Sequence, residues 1–234
     1  MSEAEEIAKA IQEIAKLGDK GLDIADKAGS FFAKVFKEPV DEVSGMITDK
    51  LRFIRWRRMV QMSDEVNKIL DAKKISETRA VPPKIALPII EEASLEDDPD
   101  LQYLWNHLLS NAMDPNFNEE IRYGFIDMIK GITGLEAKML NFFYEEFRKI
   151  DKIRPLCDLP KYRIYKERII SDLQIPLEKY VVSAHNLIRL QLLAPAIIIN
   201  KGMSYGSEPF TIYKGIDAVS LTALGVIFVE ACIK

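Results

Sequence analysis

The sequence predicts a mainly α-helical protein that ends in a smaller domain containing both helices and a β-hairpin. Apolar residues recur at every third or fourth position through most of the chain, which is the period of an amphipathic helix. Only near the C-terminus do short β-prone runs appear, separated by glycine and proline as in a hairpin. We therefore expect an amphipathic helical arm at residues 1–37, a helical domain at 38–132 and an α+β domain at 133–234.

The arm is predicted as a helix interrupted by glycines. Gly18, Gly21 and Gly29 each weaken it by roughly 1 kcal/mol relative to alanine. Its end is apolar and forms a candidate surface for a membrane or a partner: Phe31, Phe32, Val35 and Phe36. Seven acids before residue 27 would be repelled by anionic lipid, so packing against protein is the main expectation and a membrane interface is the alternative.

The helical domain is predicted to begin with a long helix at about 40–74, because Pro39 is tolerated in a first helical turn. One stripe of this helix is apolar: Val43, Ile47, Leu51, Ile54, Met62, Val66 and Ile69. Further helices are predicted at 84–94, around Trp105 and at 118–131. The helix around Trp105 follows Asp97 and Asp98, whose charge favours a helix N-terminus, and is expected to end near Asn111 and Asp114.

The last domain is predicted to start with a capping box, in which Thr133 is the N-cap and Glu136 the third helical residue. That helix runs to about residue 148, and helices at 161–173 and 176–193 follow. Two β-prone runs, at 196–200 and 210–214, predict the hairpin. A third β-prone run at 218–221 precedes a last helix at 222–232 that begins with an LTxxG pattern. This order of helices around a two-stranded wing is that of a winged-helix domain.

Composition and charge limit the function classes. The net charge of −4 argues against a wholesale nucleic-acid binder, although residues 133–234 hold 14 bases and 11 acids. The cysteines, Cys157 and Cys232, form no CxxC spacing, which is typical of free thiols in a reducing cytoplasm. The acidic start and the lack of a run of about 18 apolar residues predict neither a secretory signal nor a transmembrane helix.

Two basic patches are candidate anion-binding or interaction surfaces. The first lies on the long helix and combines four arginines with an aromatic ring: Arg52, Arg55, Arg57, Arg58 and Trp56. Arg58 falls on the apolar stripe, where a buried guanidinium needs a partner. We expect it to pair with an acid of 91–100 and so to fix the docking of this helix on residues 84–113. The second patch is Lys161, Arg163, Lys166 and Arg168.

Other polar groups favour structural roles. His107 and His185 are isolated, so a metal site is not expected. The acidic run at 91–100 lacks the alternating spacing of a calcium loop, although binding of a hard cation by its carboxylates is an alternative. No clustered carboxylates and no histidine–nucleophile pair suggest catalysis, so we expect neither an enzyme nor a cofactor.

Three segments resemble the abortive-infection alpha family in matching order: GMITDKLRFIRWRRMV at 45–60, PPKIALPIIEEASLEDDPDLQYLWNHLLSNAMD at 82–114 and YGFIDMIKGITGLEAKML at 123–140. The structural residues of this motif are Leu104, Trp105, Leu108, Leu109 and Asn111. The resemblance implies a bacterial protein linked to defence against phage, and it implies no known reaction and no catalytic residues.

Together these features predict a cytoplasmic, non-enzymatic defence protein that binds a protein partner or a second copy of itself. Peripheral contact of the arm with the inner membrane is left open. The alternative is a DNA-binding transcriptional regulator that uses the winged helix. No small-molecule substrate is inferred.

Overall fold

A computed structural model of the chain describes residues 50–149, 162–196 and 216–233. The chain divides into two compact units between Ile126 and Asp127. The predicted arm, including Phe31, Phe32, Val35 and Phe36, lies outside the described residues. The start of the long helix, 40–49, lies outside them as well.

The first unit consists of helices. They are α1 (Lys50–Ala72), α2 (Pro83–Leu95), α3 (Pro99–Met113) and the beginning of α4 (Tyr123–Lys130), which crosses the division between the units. Proline opens both α2 and α3, where its missing N–H has no helical partner to lose. Asp98 caps α3, because its carboxylate accepts hydrogen bonds from the N–H groups of Asp100 and Leu101 at 2.8 and 3.3 Å.

The core of the first unit is centred on α3, as predicted. Its apolar face is buried, with exposures of 7% or less: Leu101, Leu104, Trp105, Leu108 and Leu109. From α1, Met62 and Val66 are buried as predicted. The prediction was wrong for Ile54, which is 36% exposed, and for Ile69, which is only partly covered. Val60 and Leu70 are buried instead. An α-helix has 3.6 residues per turn, so the buried positions shift gradually around the helix and depart from any fixed three- or four-residue spacing.

The first helix that lies wholly in the second unit is α5 (Gly134–Arg148), and the predicted capping box at its start is confirmed. The Thr133 N–H donates to Glu136 Oε2 at 2.8 Å, and the Glu136 N–H donates to Thr133 Oγ1 at 3.4 Å. Both of these otherwise unpaired donors are thereby satisfied at the helix start.

A small antiparallel sheet and three more helices complete the second unit. In chain order these are β1 (Ile164–Tyr165), α6 (Lys166–Leu173), α7 (Leu177–Arg189), β2 (Leu193–Pro195), β3 (Ala218–Leu221) and α8 (Ala223–Ile233). The strand order is β1-β3-β2, so β3 is central. Val219 pairs with Ile164 on one side and with Pro195 on the other.

One sequence-based prediction in this unit was wrong, and another was confirmed. Residues 164–165 form a strand, whereas a helix was predicted over 161–173, because pairing with β3 holds them extended. The predicted β-prone run at 218–221 is confirmed as β3, which pairs with β2 at 193–195. The predicted hairpin runs at 196–200 and 210–214 lie outside the described residues apart from Ala196 and stay a prediction. Residues 197–215 lie outside the described part of the chain. The mainly helical class with a small sheet is confirmed, and the winged-helix assignment stays a prediction.

Candidate functional site

The arginines of α1 have different environments. The Arg55 Nε donates to Ser94 Oγ at 3.1 Å, and Arg58 Nη1 donates to the Leu95 carbonyl oxygen at 2.8 Å. Both contacts join α1 to the end of α2. Arg57 is exposed and has no partner among the described residues, while the side chains of Arg52 and Trp56 lie outside them.

Arg58 contacts the end of α2, within the predicted 84–113 region, but the predicted acceptor was wrong. The acceptor is the main-chain carbonyl of Leu95, inside the acidic run, rather than a carboxylate of that run. The last carbonyls of a helix lack partners within the helix, so the C-terminal turn of α2 offers an acceptor with partial negative charge. The arginine is also only partly buried, so a full opposing charge is not required.

A cleft of about 600 Å³ lies beside these contacts, within the first unit. It is bounded by α1, by the link between α2 and α3, and by α3. Polar and charged side chains supply most of its lining: Arg57, Arg58, Gln61, Glu65, Glu96, Asp97, Gln102 and Asn106. Met62, Pro99 and Tyr103 supply the rest.

The link between α2 and α3 forms a fixed wall of this cleft. Glu96 Oε1 accepts hydrogen bonds from the N–H groups of Asp97 and Asp98, each at 3.0 Å. The Gln102 amide donates to the carbonyls of Ala93 and Glu96 at 2.6 and 2.9 Å. These bonds hold the link in place, so the Glu96 carboxylate stabilises the local backbone, as the Asp98 carboxylate does at the start of α3.

Asn106 is the most unusual residue of the cleft. Its side chain lines the cleft, the residue is only 9% exposed, and its Oδ1 has no hydrogen-bond partner among the described residues. A buried polar atom without a partner costs roughly 1–3 kcal/mol. Sequence reasoning missed this site, although Gln102, Tyr103 and Asn106 share a helical face by their spacing.

The motif residues of α3 are buried. Leu104, Trp105, Leu108 and Leu109 are at most 1% exposed, and the Trp105 indole N–H has no hydrogen-bond partner among the described residues. Asn111 is fully buried, and its Oδ1 accepts from Lys73 Nζ at 2.5 Å.

The end of α3 is closed by Arg79, a residue that the sequence analysis did not single out. Its guanidinium donates to the carbonyls of Ala112 at 2.8 Å, Asn111 at 3.2 Å and Phe117 at 3.2 Å. A cation at a helix C-terminus satisfies carbonyls that lack helical partners and interacts favourably with the helix dipole.

The predicted basic patch of the second unit is largely occupied by internal ion pairs. Lys166 Nζ lies 2.5 Å from Asp217 Oδ1, and Arg168 lies 2.6 Å from Glu146. The Glu146 carboxylate also accepts from Lys149, and these basic partners hold its pKa below the usual value near 4.5, mainly through the Lys149 hydrogen bond. Arg163 lies 5.9 Å from the centre of the Tyr165 ring. Lys161 lies outside the described residues.

The solvent-exposed side of α7 includes three aliphatic side chains beside charged residues such as Glu178 and Arg189. Leu177 is 48% exposed, Val181 37% and Val182 69%. Tyr165, also in the second unit, is 46% exposed. On the opposite face, Tyr180 is buried and its hydroxyl donates to the Ile216 carbonyl at 3.0 Å. Burial, assisted by the negative charge of Asp217, raises the pKa of Tyr180 to about 12.

Neither a metal cluster nor a membrane span is found in the part of the chain that the structure describes. No three or more ligating side chains among histidine, cysteine, aspartate and glutamate gather there. No helix in that part combines the length and the apolar character needed to cross a bilayer. Cys232 is fully buried in α8, and burial raises the pKa of its thiol well above the usual value.

Comparison with known proteins identifies the family. No curated protein and no solved structure gives a significant match. The family model described as abortive infection alpha matches residues 57–232, about three quarters of the 234 residues. This span includes the α1 arginines from Arg57 onward, the buried face of α3 and the whole described sheet. The chain therefore belongs to the abortive-infection alpha family.

Proposed function

We propose that this chain is a cytoplasmic, bacterial phage-defence protein that acts by binding rather than by catalysis. We further propose that its second unit is a winged helix that binds a protein partner or a second copy of the chain. Membership of the abortive-infection alpha family supports the defence role. The element order of the second unit supports a winged helix, since α5, β1, α6, α7, β2, β3 and α8 follow one another around a three-stranded antiparallel sheet.

The exposed face of α7 is the observation that carries the proposal. In a winged helix, α7 holds the place of the recognition helix, which enters the DNA major groove in regulators of this class. Here that helix exposes Leu177, Val181 and Val182. Covering exposed aliphatic groups with a protein surface is favourable by about 25 cal/mol per Å² of apolar area buried. They gain nothing from phosphates.

The charges of the second unit support the same conclusion over the DNA-binding alternative. Affinity for DNA comes largely from lysine and arginine side chains that neutralise phosphates. Lys166 and Arg168 already pair with Asp217 and Glu146. Arg189 donates to Asn186 Oδ1 at 2.7 and 3.0 Å, and Glu178 would face the phosphates with a negative charge.

The densest acidic run supports a non-catalytic role. Catalytic carboxylates need to be available to a substrate, whereas Asp98 caps α3 and Glu96 accepts two main-chain hydrogen bonds. These contacts explain the run as part of the helix connection.

The proposal is tested by phage challenge of cells that express the full chain or a surface variant. Val182→Asp places a charge at the most exposed aliphatic residue of α7, and we expect phage plating efficiency to rise at least tenfold relative to cells with the unchanged protein. Ser171→Asp is the matched control, because it adds the same charge at an exposed position on α6. Melting curves of both variants check that the fold is retained.

Two further measurements separate the alternatives. Gel shifts with duplex DNA across a salt series test the regulator hypothesis, since binding through phosphates weakens steeply with salt. Size-exclusion chromatography with light scattering tests self-association. Full protection by Val182→Asp, together with salt-dependent DNA binding, would reject the proposal in favour of the regulator.

A further inference from the structure

We propose that the cleft between α1 and the α2–α3 link binds an extended peptide segment whose side chains carry charges of both signs. This inference deepens the proposed function by naming the ligand class of the first unit. It rests on that function only for its biological meaning, because the binding itself is measured on purified protein. The cleft volume of about 600 Å³ lies within the roughly 300–1,000 Å³ of ligand pockets.

The unsatisfied amide of Asn106 points to a ligand with amide groups. An asparagine side chain carries an acceptor and two donors, which match the N–H and C=O of a peptide group. The Oδ1 itself is covered from solvent, so it meets a ligand in the cleft only after the amide rotates about its last side-chain bond. Gln61 and Gln102 add two more amides to the lining, and the Gln102 oxygen remains an acceptor because its nitrogen makes the bonds to the link.

The charges of the cleft select a ligand of mixed sign. The lining contains two guanidinium groups, from Arg57 and Arg58, and three carboxylates, from Glu65, Glu96 and Asp97. The Glu65 carboxylate also pairs with Lys68 at 2.6 Å. Glu96 and Asp97 are therefore the acidic groups nearest to a ligand without a basic partner of their own among the described residues. A nucleotide or another polyanion would meet the carboxylates, and a polyamine would meet the guanidinium groups. A segment with one acidic and one basic side chain meets each with its opposite, which favours both affinity and choice of partner.

Much of the wall is already ordered, which lowers the entropic cost of binding. The link is held by the hydrogen bonds of Glu96 and Gln102, and Arg58 is held by Leu95. Arg57 remains exposed beside this ordered wall, so it is the guanidinium most available to a ligand carboxylate. Tyr103, 46% exposed, adds an aromatic face that the side chains of a peptide can cover.

The test is a binding titration of the purified full chain with blocked, fluorescein-labelled alanine hexapeptides. One pool carries a lysine and an aspartate at all pairs of positions, and two comparison pools carry only lysines or only aspartates. ATP and spermine represent the polyanion and polyamine classes. We expect saturable binding of the mixed pool, at least tenfold tighter than binding of any comparison ligand.

Variants locate the binding in the cleft. Asn106→Leu removes the amide at similar size, and we expect at least a tenfold loss of affinity for the mixed pool. Because this residue is buried, Arg57→Gln serves as a second variant on an exposed position, with an expected loss of similar size. Arg122→Gln is the matched control, since Arg122 is exposed and outside the cleft lining.

The outcomes are distinct for the two proposals. Equal binding of all pools, tighter binding of ATP or spermine, or unchanged affinity in folded Arg57→Gln protein would overturn the peptide site. None of these results alters the phage-protection comparison between Val182→Asp and Ser171→Asp, which tests the proposed function at a different surface.

Discussion

Gly225 lies where the last helix meets the main chain of Leu192, just before β2, and alanine should not be tolerated there. Thr222 begins this junction: its N–H donates to the Leu192 carbonyl at 3.1 Å, and its Oγ1 accepts from the Gly225 N–H at 2.8 Å. A Cβ at position 225 would lie 2.1 Å from the Leu192 carbonyl oxygen and 3.0 Å from its carbon. The LTxxG pattern thus combines a helix cap with a residue that allows a close approach.

The expected magnitude follows from two opposing effects. Overpacking of this kind costs typically about 1–3 kcal/mol and occasionally more, and here the obstacle is main chain, which cannot rotate away. Replacing glycine by alanine in a helix returns roughly 0.5–1 kcal/mol. We therefore expect Gly225→Ala to lower the free energy of unfolding by about 2 kcal/mol or more, and to lower Tm by about 4–8 °C.

The control is Gly124→Ala in α4, where an added Cβ meets nothing within 4 Å. This variant should be as stable as the unchanged chain, or more stable by up to roughly 1 kcal/mol. Urea unfolding followed by circular dichroism measures both variants, and hydrogen exchange of the α8 amides locates the effect. Equal stability of Gly225→Ala and the unchanged chain would show that the junction can shift, and the explanation of LTxxG would be wrong.

Three further predictions concern the second unit. Glu136→Ala should lower the free energy of unfolding by about 3 kcal/mol, because the Thr133 N–H and the Asn186 amide lose their shared acceptor. Glu136→Gln keeps a side-chain oxygen as an acceptor, so it should lower the free energy of unfolding by less in the same urea titration. The pKa of Glu146 is lower in the folded chain than in the unfolded chain. The stability that its carboxylate contributes is therefore present above the unfolded-state pKa and is lost as the pH falls through the folded-state pKa. Glu146→Gln should therefore flatten the loss of Tm below about pH 4.5. The pKa of Tyr180 is raised, so the stability that the protonated hydroxyl contributes is complete below pH 10, the usual pKa of tyrosine, and is lost toward pH 12. Tyr180→Phe should abolish this alkaline loss of stability and cost about 1 kcal/mol at neutral pH, because the hydrogen bond to Ile216 is removed.

Local signals in the sequence predicted local structure well. The capping box at Thr133 and Glu136 and the helix start at Asp98 were found where predicted, because each involves groups within three residues of one another. The buried face of α3 was predicted for a similar reason. Its Leu and Trp residues follow the helical period without interruption.

The parts that were not predicted depend on contacts between distant segments. The strand at Ile164–Tyr165 sits in a sequence with helical character and is extended because Val219 and Ala218 pair with it. Arg79 has no local signal for its role, since its acceptors lie 32 to 38 residues away at the end of α3. The cleft has the same origin, because its walls are brought together from three segments of the first unit.

Adjacent arginines on α1 illustrate why a basic patch in a sequence does not define a site. Neighbouring residues on a helix point about 100° apart, so Arg57 and Arg58 line the same cleft from different directions. Arg58 reaches the end of α2 and joins two helices, whereas Arg57 is exposed at the edge of the cleft. The Arg58 contact joins α1 to the wall that Glu96 and Gln102 order. The Arg57 guanidinium is available for a ligand. Binding in this unit would thus depend on Arg57, which is exposed and contributes little to the fold. Its neighbour Arg58 contributes to the fold directly through the bond to Leu95.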